Sequence, residues 1–172
     1  TRDNEMNPTR GFAFNTDLRF VPSFFSTSNA NTHFAQAEGE LLVFQELLPQ
    51  YIPNWIAAFR IAAGTTFGNP SYAFKYKLGG ASRLRGFLEN RFRGKYFYQQ
   101  ETELRMPLWG AIGGALFFGV GDTTDDQFTS GKIISGIGLR IGLPPDWVSR
   151  VRIDVAFSRD QMGIFADFGN SF

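Results

Sequence analysis

Apolar and polar residues alternate along eight stretches of this chain, and in each the apolar side carries no Asp, Glu, Lys or Arg. Residues 11–21 set Phe12, Phe14, Leu18 and Phe20 against Asn15, Asp17 and Arg19. In 96–108, Tyr98, Leu104, Met106 and Leu108 oppose Gln99, Glu101, Glu103 and Arg105. The stretch 147–158 divides Trp147, Val151, Ile153, Val155 and Phe157 from Arg150, Arg152 and Asp154. A period of two predicts strands, here over 11–21, 34–45, 54–67, 96–108, 111–121, 131–143, 147–158 and 162–172. Each is about ten residues or more, the length a tilted strand needs to cross the hydrocarbon layer of a bilayer.

Two architectures alternate in this way. A soluble β-sandwich or lipocalin-like barrel turns its charges to bulk water and buries its apolar faces against one another. A transmembrane β-barrel turns its apolar side to lipid and its charges inward. A charge on a barrel's outer face costs ~2–4 kcal/mol at the bilayer midplane, so apolar faces free of charge on all eight strands favour the membrane form. The outward set then includes Phe59, Leu116, Leu139, Ile153 and Phe168. The connections support it: 22–33 and 68–95 are long, whereas 109–110 and 144–146 are tight, as expected when short turns face one side of the membrane and long loops the other. The predicted fold is all-β: one transmembrane antiparallel barrel domain over 1–172, its partner the lipid bilayer.

Composition agrees. Of 172 residues 43% are hydrophobic and 20 are Phe, yet mean hydropathy is −0.16 and no run approaches the ~20 apolar residues of a membrane helix. The absence of cysteine suits a bacterial envelope protein and removes thiol chemistry. A formal charge of +1 gives no nucleic-acid footprint. The lone histidine, His33, argues against a His-based metal site, and no cofactor is expected. A mature outer-membrane chain is expected to have lost its signal peptide.

The inward face poses the question of function. It includes Asp17, Arg19, Glu101, Glu103, Arg105, Lys132, Arg140, Arg150, Arg152 and Asp154, interspersed with glycines such as Gly64, Gly119, Gly136 and Gly138. An eight-stranded barrel is just wide enough for its own side chains, and glycines in its wall leave room for something to approach the backbone. The 68–95 segment, with five Arg or Lys in its second half, is the expected occupant. Glu101 and Glu103 share a strand with Arg105 and read as a salt-bridge network. No catalytic constellation is present, and the chain is not expected to be an enzyme.

Within that segment, Leu84-Arg85-Gly86-Phe87 resembles the lumen-loop tip of the bacterial surface antigen family, the outer-membrane assembly factors of the BamA and TamA type and the two-partner-secretion transporters. Glu103-Leu104-Arg105-Met106-Pro107-Leu108 resembles the family's next strand, whose inward glutamate pairs with the loop arginine. Phe117-Phe118-Gly119-Val120-Gly121 resembles the strand after it, but the family's inward aspartate is replaced by Gly119. The resemblance therefore points to Glu101 and Glu103 as partners of Arg85, with Phe87 packing on Phe117. It implies insertion or translocation of client polypeptides in the bacterial outer membrane, beside a weak seam flanked by the last strand. Gly163 removes packing there, and Phe168 with the terminal Phe172 resembles a C-terminal assembly signal. Family barrels have sixteen strands, usually preceded by periplasmic POTRA domains; these eight correspond to the C-terminal half. A fragment of a longer chain with a missing N-terminal half, a half-barrel pairing with a second copy, and a self-closed eight-stranded barrel all stay open. So do a passive barrel or small pore, and a translocator for an attached passenger domain.

Overall fold

A computed structural model describes residues 2–4, 7–22, 33–128, 131–144 and 150–169. The wall strands are β1 (Gly11–Val21), β2 (Phe34–Glu46), β3 (Ile56–Gly68), β6 (Tyr96–Trp109), β7 (Ile112–Thr124), β8 (Lys132–Gly142), β9 (Arg150–Ser158) and β10 (Met162–Phe168). They form one antiparallel sheet in the order β1-β2-β3-β6-β7-β8-β9-β10. Between β3 and β6 the chain forms a separate two-stranded ribbon, β4 (Tyr76–Leu78) paired with β5 (Phe92–Gly94).

The alternation reads out directly as two faces. Phe12, Leu18, Leu116, Leu139, Ile153 and Phe168 are exposed on the outer face, and Phe59 and Leu104 lie half-buried on it. The residues between them point inward, where Arg60, Glu101, Glu103, Arg105, Arg140, Arg152 and Asp154 are all buried. Tyr51 and Trp109, 80% and 83% exposed, mark the short-turn end as the aromatic girdle of a membrane barrel does. No described helix is long and apolar enough to cross a membrane; strands make the crossing.

Two details depart from the sequence reading. The β4–β5 ribbon is too short for its period to register. Strand β7 runs past residue 121 to Thr124, so Asp122 sits on the wall, buried and ion-paired with Lys132, rather than in the following loop. Among the described residues β1 pairs with β2 alone and β10 with β9 alone, so the sheet, whose closure the sequence left open, is not closed there. Trp147 and Phe172 lie outside the described residues.

Inward glycines face large inward side chains across the strands. Gly136 is opposite Phe117 in the β7–β8 register, and a Cβ there would collide with the Phe117 ring. Gly138 is opposite Asp154, and a Cβ there would meet the Asp154 carboxylate and the Arg140 guanidinium. At Gly64 a Cβ would lie 2.5 Å from the Phe97 ring and 2.7 Å from Tyr76 of the ribbon. The glycines thus give space both to neighbouring side chains and to the 68–95 segment lying across them.

Candidate functional site at the tip of the inner loop

The 68–95 segment folds back onto the inner face and is tied to the wall along its length. Tyr76 Oη donates to the carbonyl of Ala37 (3.0 Å), with the Thr65 carbonyl 3.3 Å away, and Gln36 Nε2 donates to Phe74 O (2.8 Å). At the base, Lys75 Nζ pairs with Asp125 Oδ2 at 2.5 Å. That bond, first among the influences on Asp125, draws its carboxyl below the ordinary range.

Local backbone geometry makes the tip compact. Gly79 N donates to Arg83 O (3.0 Å) and Gly80 N to Phe87 O (3.1 Å), closing a short loop around residues 80–87. Gly86 has φ +99° and its ideal Cβ would sit 3.3 Å from Ala156 Cβ, so the turn needs glycine for both dihedral and space. Leu84 and Phe87 bury themselves with Phe117, Ile134 and Ala156 in one apolar cluster. Phe87 also stacks edge-on against Phe92, ring centroids 5.0 Å apart.

That apolar seat positions Arg85, whose side chain is fully buried. Its Nη1 donates to Glu103 Oε2 (2.8 Å) on β6 and to Asp154 Oδ2 (2.9 Å) on β9, and its guanidinium carbon lies 3.7 Å from the Phe117 ring centroid. Around this pair the wall assembles a network. Arg105 Nε donates to Glu103 Oε1 (2.9 Å). Arg140 reaches both carboxylates, Asp154 at 2.5 Å and Glu103 at 3.1 Å. Arg152 joins Asp154 (3.4 Å), Asp167 (2.9 Å) and the loop carbonyl of Ala81 (3.0 Å). Arg60 joins Glu40 (2.7 Å) and the loop carbonyl of Ser82 (2.6 Å). Buried charges are tolerable only with such satisfaction, because removing one partner leaves the other uncompensated.

The predicted partners divide. Glu103 bonds Arg85 directly. Glu101 stands at 3.7 Å from Arg85 and 3.8 Å from Arg60, an ion pair without a hydrogen bond, and the second direct partner is Asp154. Asp154 was legible as an inward residue but not as a partner, being 69 positions from Arg85. Gly119 fills no acidic role; a Cβ there would lie 2.8 Å from Glu101 Cγ, so the vacant space holds the Glu101 side chain.

The tip also reaches the last strand. Gly86 O accepts from Gln161 Nε2 (2.9 Å) and from Ser158 Oγ (3.4 Å). A Cβ on Gly163 would lie 3.6 Å from Gly86 Cα. One short segment therefore touches the wall from β2, through Arg83 and Glu38, to the start of β10. Phe168 ends β10 on the outer face, 79% exposed. Among the described residues no group of His, Cys, Asp and Glu is arranged to hold a metal.

Comparison with known proteins agrees with this architecture. A family model described as "Omp85 superfamily domain" matches residues 1–171. Among solved structures, the crystal structure of BamA from Haemophilus ducreyi lacking POTRA domains 1-3 matches with a TM-score of 0.78 at 14% identity, over 98% of this chain. The chain spans 40% of the length of that protein. No curated protein matches it.

Proposed function

Because the chain belongs to the Omp85 superfamily, and is therefore an outer-membrane β-barrel of a protein assembly and translocation family, we propose that it inserts or translocates client polypeptides, its inner loop locking the wall beside the edge strand. In this reading residues 1–172 are one barrel domain, 68–95 is its lumen loop, and Leu84, Arg85, Gly86 and Phe87 form the lock. Glu103, Asp154 and Phe117 hold it, with Glu101 adding longer-range charge. The observation that carries the reading is Arg85, fully buried and shared between carboxylates on β6 and β9, on the same tip whose Gly86 carbonyl engages Gln161 beside β10.

A bare strand edge in hydrocarbon costs several kcal/mol per unsatisfied group. The edges of β1 and β10 thus require strands from elsewhere, either an N-terminal half or a second copy, or transiently a client. Eight-strand self-closure is disfavoured by the loop, which occupies the space such a barrel needs for its own side chains. Site-specific crosslinking from Ile164 and Ala166 on β10, in cells making a client barrel, tests the reading. Client adducts that fall when Arg85→Ala releases the loop are expected. A wall that yields no client adduct from either position, alongside steady single-channel conductance, would replace this reading with the passive pore.

A further inference from the structure

We infer that the short-turn end of the inner face carries a site for a single oxyanion, a carboxylate or phosphate group, centred on Arg150. This inference is independent of client handling.

The argument begins with charge allocation. Glu103 serves three guanidiniums, those of Arg85, Arg105 and Arg140. Asp154 likewise serves Arg85, Arg140 and Arg152. These two carboxylates are thus fully engaged before Arg150 is considered. Arg150 opens β9, opposite Gly142, with its side chain turned inward. Its Nη1 lies 3.4 Å from where a Cβ on Gly113 would stand, so the side chain extends across β8 toward β7. Among the described residues the charges acting on it are those of Arg105 and Arg140, both positive. Its Nε is buried and meets no hydrogen-bond acceptor. A half-buried guanidinium whose charged neighbours among the described residues are cations is unfavourable unless an anion joins them.

The space for that anion is present. A cleft of about 260 Å³ opens beside Arg150 and Arg105, and Asn7, Thr9 and Asn54 also line it. Among the described residues lining it there is no Asp or Glu. Two guanidiniums and two amides supply donors to the cleft, and a planar guanidinium fork matches carboxylate or phosphate oxygens better than chloride. The cleft lies on the polar inner face at the turn end, so its ligand arrives from the aqueous side of that end rather than from the hydrocarbon.

Isothermal titration of the detergent-solubilised full protein with inorganic phosphate tests the assignment, with chloride at matched ionic strength as reference. Saturable phosphate binding is expected, weakened roughly tenfold by Arg150→Gln, the loss of one charge-assisted partner, and unchanged by Arg159→Gln in the exposed β9–β10 turn. A triglutamate peptide with a free or an amidated C-terminus then separates sources: preference for the free form identifies a chain-terminal carboxylate, and equal binding identifies any accessible carboxylate. Heat-modifiability on gels checks the fold of Arg150→Gln; should that variant not fold, Arg150→Lys, which keeps the charge and loses the fork, replaces it. Three results would overturn the proposal: no saturable heat with phosphate on the unmodified protein, the same heat with chloride, or phosphate affinity untouched by both Arg150 substitutions.

Discussion

Strand β1 and the β6–β9 wall follow the same alternation and differ in what lies against their inner faces. On β6–β9 the inner charges around the loop tip, Glu101, Glu103, Arg105, Arg140, Arg152 and Asp154, are buried and each has a charged partner within the network. On β1 nearly every residue is exposed on both faces; Asp17 stands opposite Glu38 in the register, and Glu38 is engaged instead by Arg83 of the loop. The contrast separates two uses of one pattern. Where a lid is present, an inward charge is a structural element whose loss exposes an unpaired buried partner. Where the lid is absent, the same residue type is a solvated lining worth little.

The sharpest test of that difference is to remove a charge from the covered side. Glu103→Gln leaves Arg85, Arg105 and Arg140 competing for what remains, and by the usual cost of breaking a buried pair it should destabilise by about 3–5 kcal/mol. Urea unfolding in lipid vesicles measures it. Arg85→Ala combined with Glu103→Ala should cost less than the two alone, since both belong to one network; full additivity would mean that loop and wall do not interact.

Next in size is the outer face, which is equivalent in both regions. Leu116→Arg on β7 should cost ~2–4 kcal/mol in bilayers, and the same substitution should be far milder when folding is followed in a detergent that thins the apolar layer. A negligible cost in bilayers would remove Leu116 from the lipid-facing set.

On the open side, Asp17→Asn and Arg19→Gln should each change stability by less than about 0.5 kcal/mol, the ordinary range for solvated surface positions. A cost near that of Glu103→Gln would show that β1 is covered by another element in the membrane.

The smallest effect concerns the approach to β1. Asp3 accepts from Thr9 Oγ1 (2.5 Å) and from the backbone amides of Thr9 and Asn4. Slight burial raises its carboxyl, but these bonds outweigh that and bring it down to about 2. A depressed carboxyl contributes stability that is complete above the unfolded value of about 3.9 and is lost as pH falls through the folded value. The turn should therefore hold at pH 4 and release only near pH 2. Carboxyl chemical shifts against pH would show it, and a titration midpoint near 4 would refute the bonding.

How much of this was readable beforehand follows from where each property is encoded. Leu84-Arg85-Gly86-Phe87 and Glu103 were legible because each lies in a short contiguous motif, and Phe117 because it shares the inward period of its strand. Asp154 stood equally plainly among the inward residues, yet nothing near it in the chain names Arg85. Asp122 was misplaced by a boundary, since a polar run of Asp and Thr looks like a loop until its backbone pairs with β6.

By itself the sequence determined the wall: a strand turns successive side chains to opposite faces whatever it pairs with, so eight alternating stretches with charge-free apolar faces sort lipid side from inner side locally. Only the tertiary structure decided which inner charges meet, Asp154 with Arg85 above all, and how far the loop's contacts spread along the wall. Those properties depend on register across several strands and on the reach of long side chains over glycine gaps, and neither is written in any single stretch of the chain.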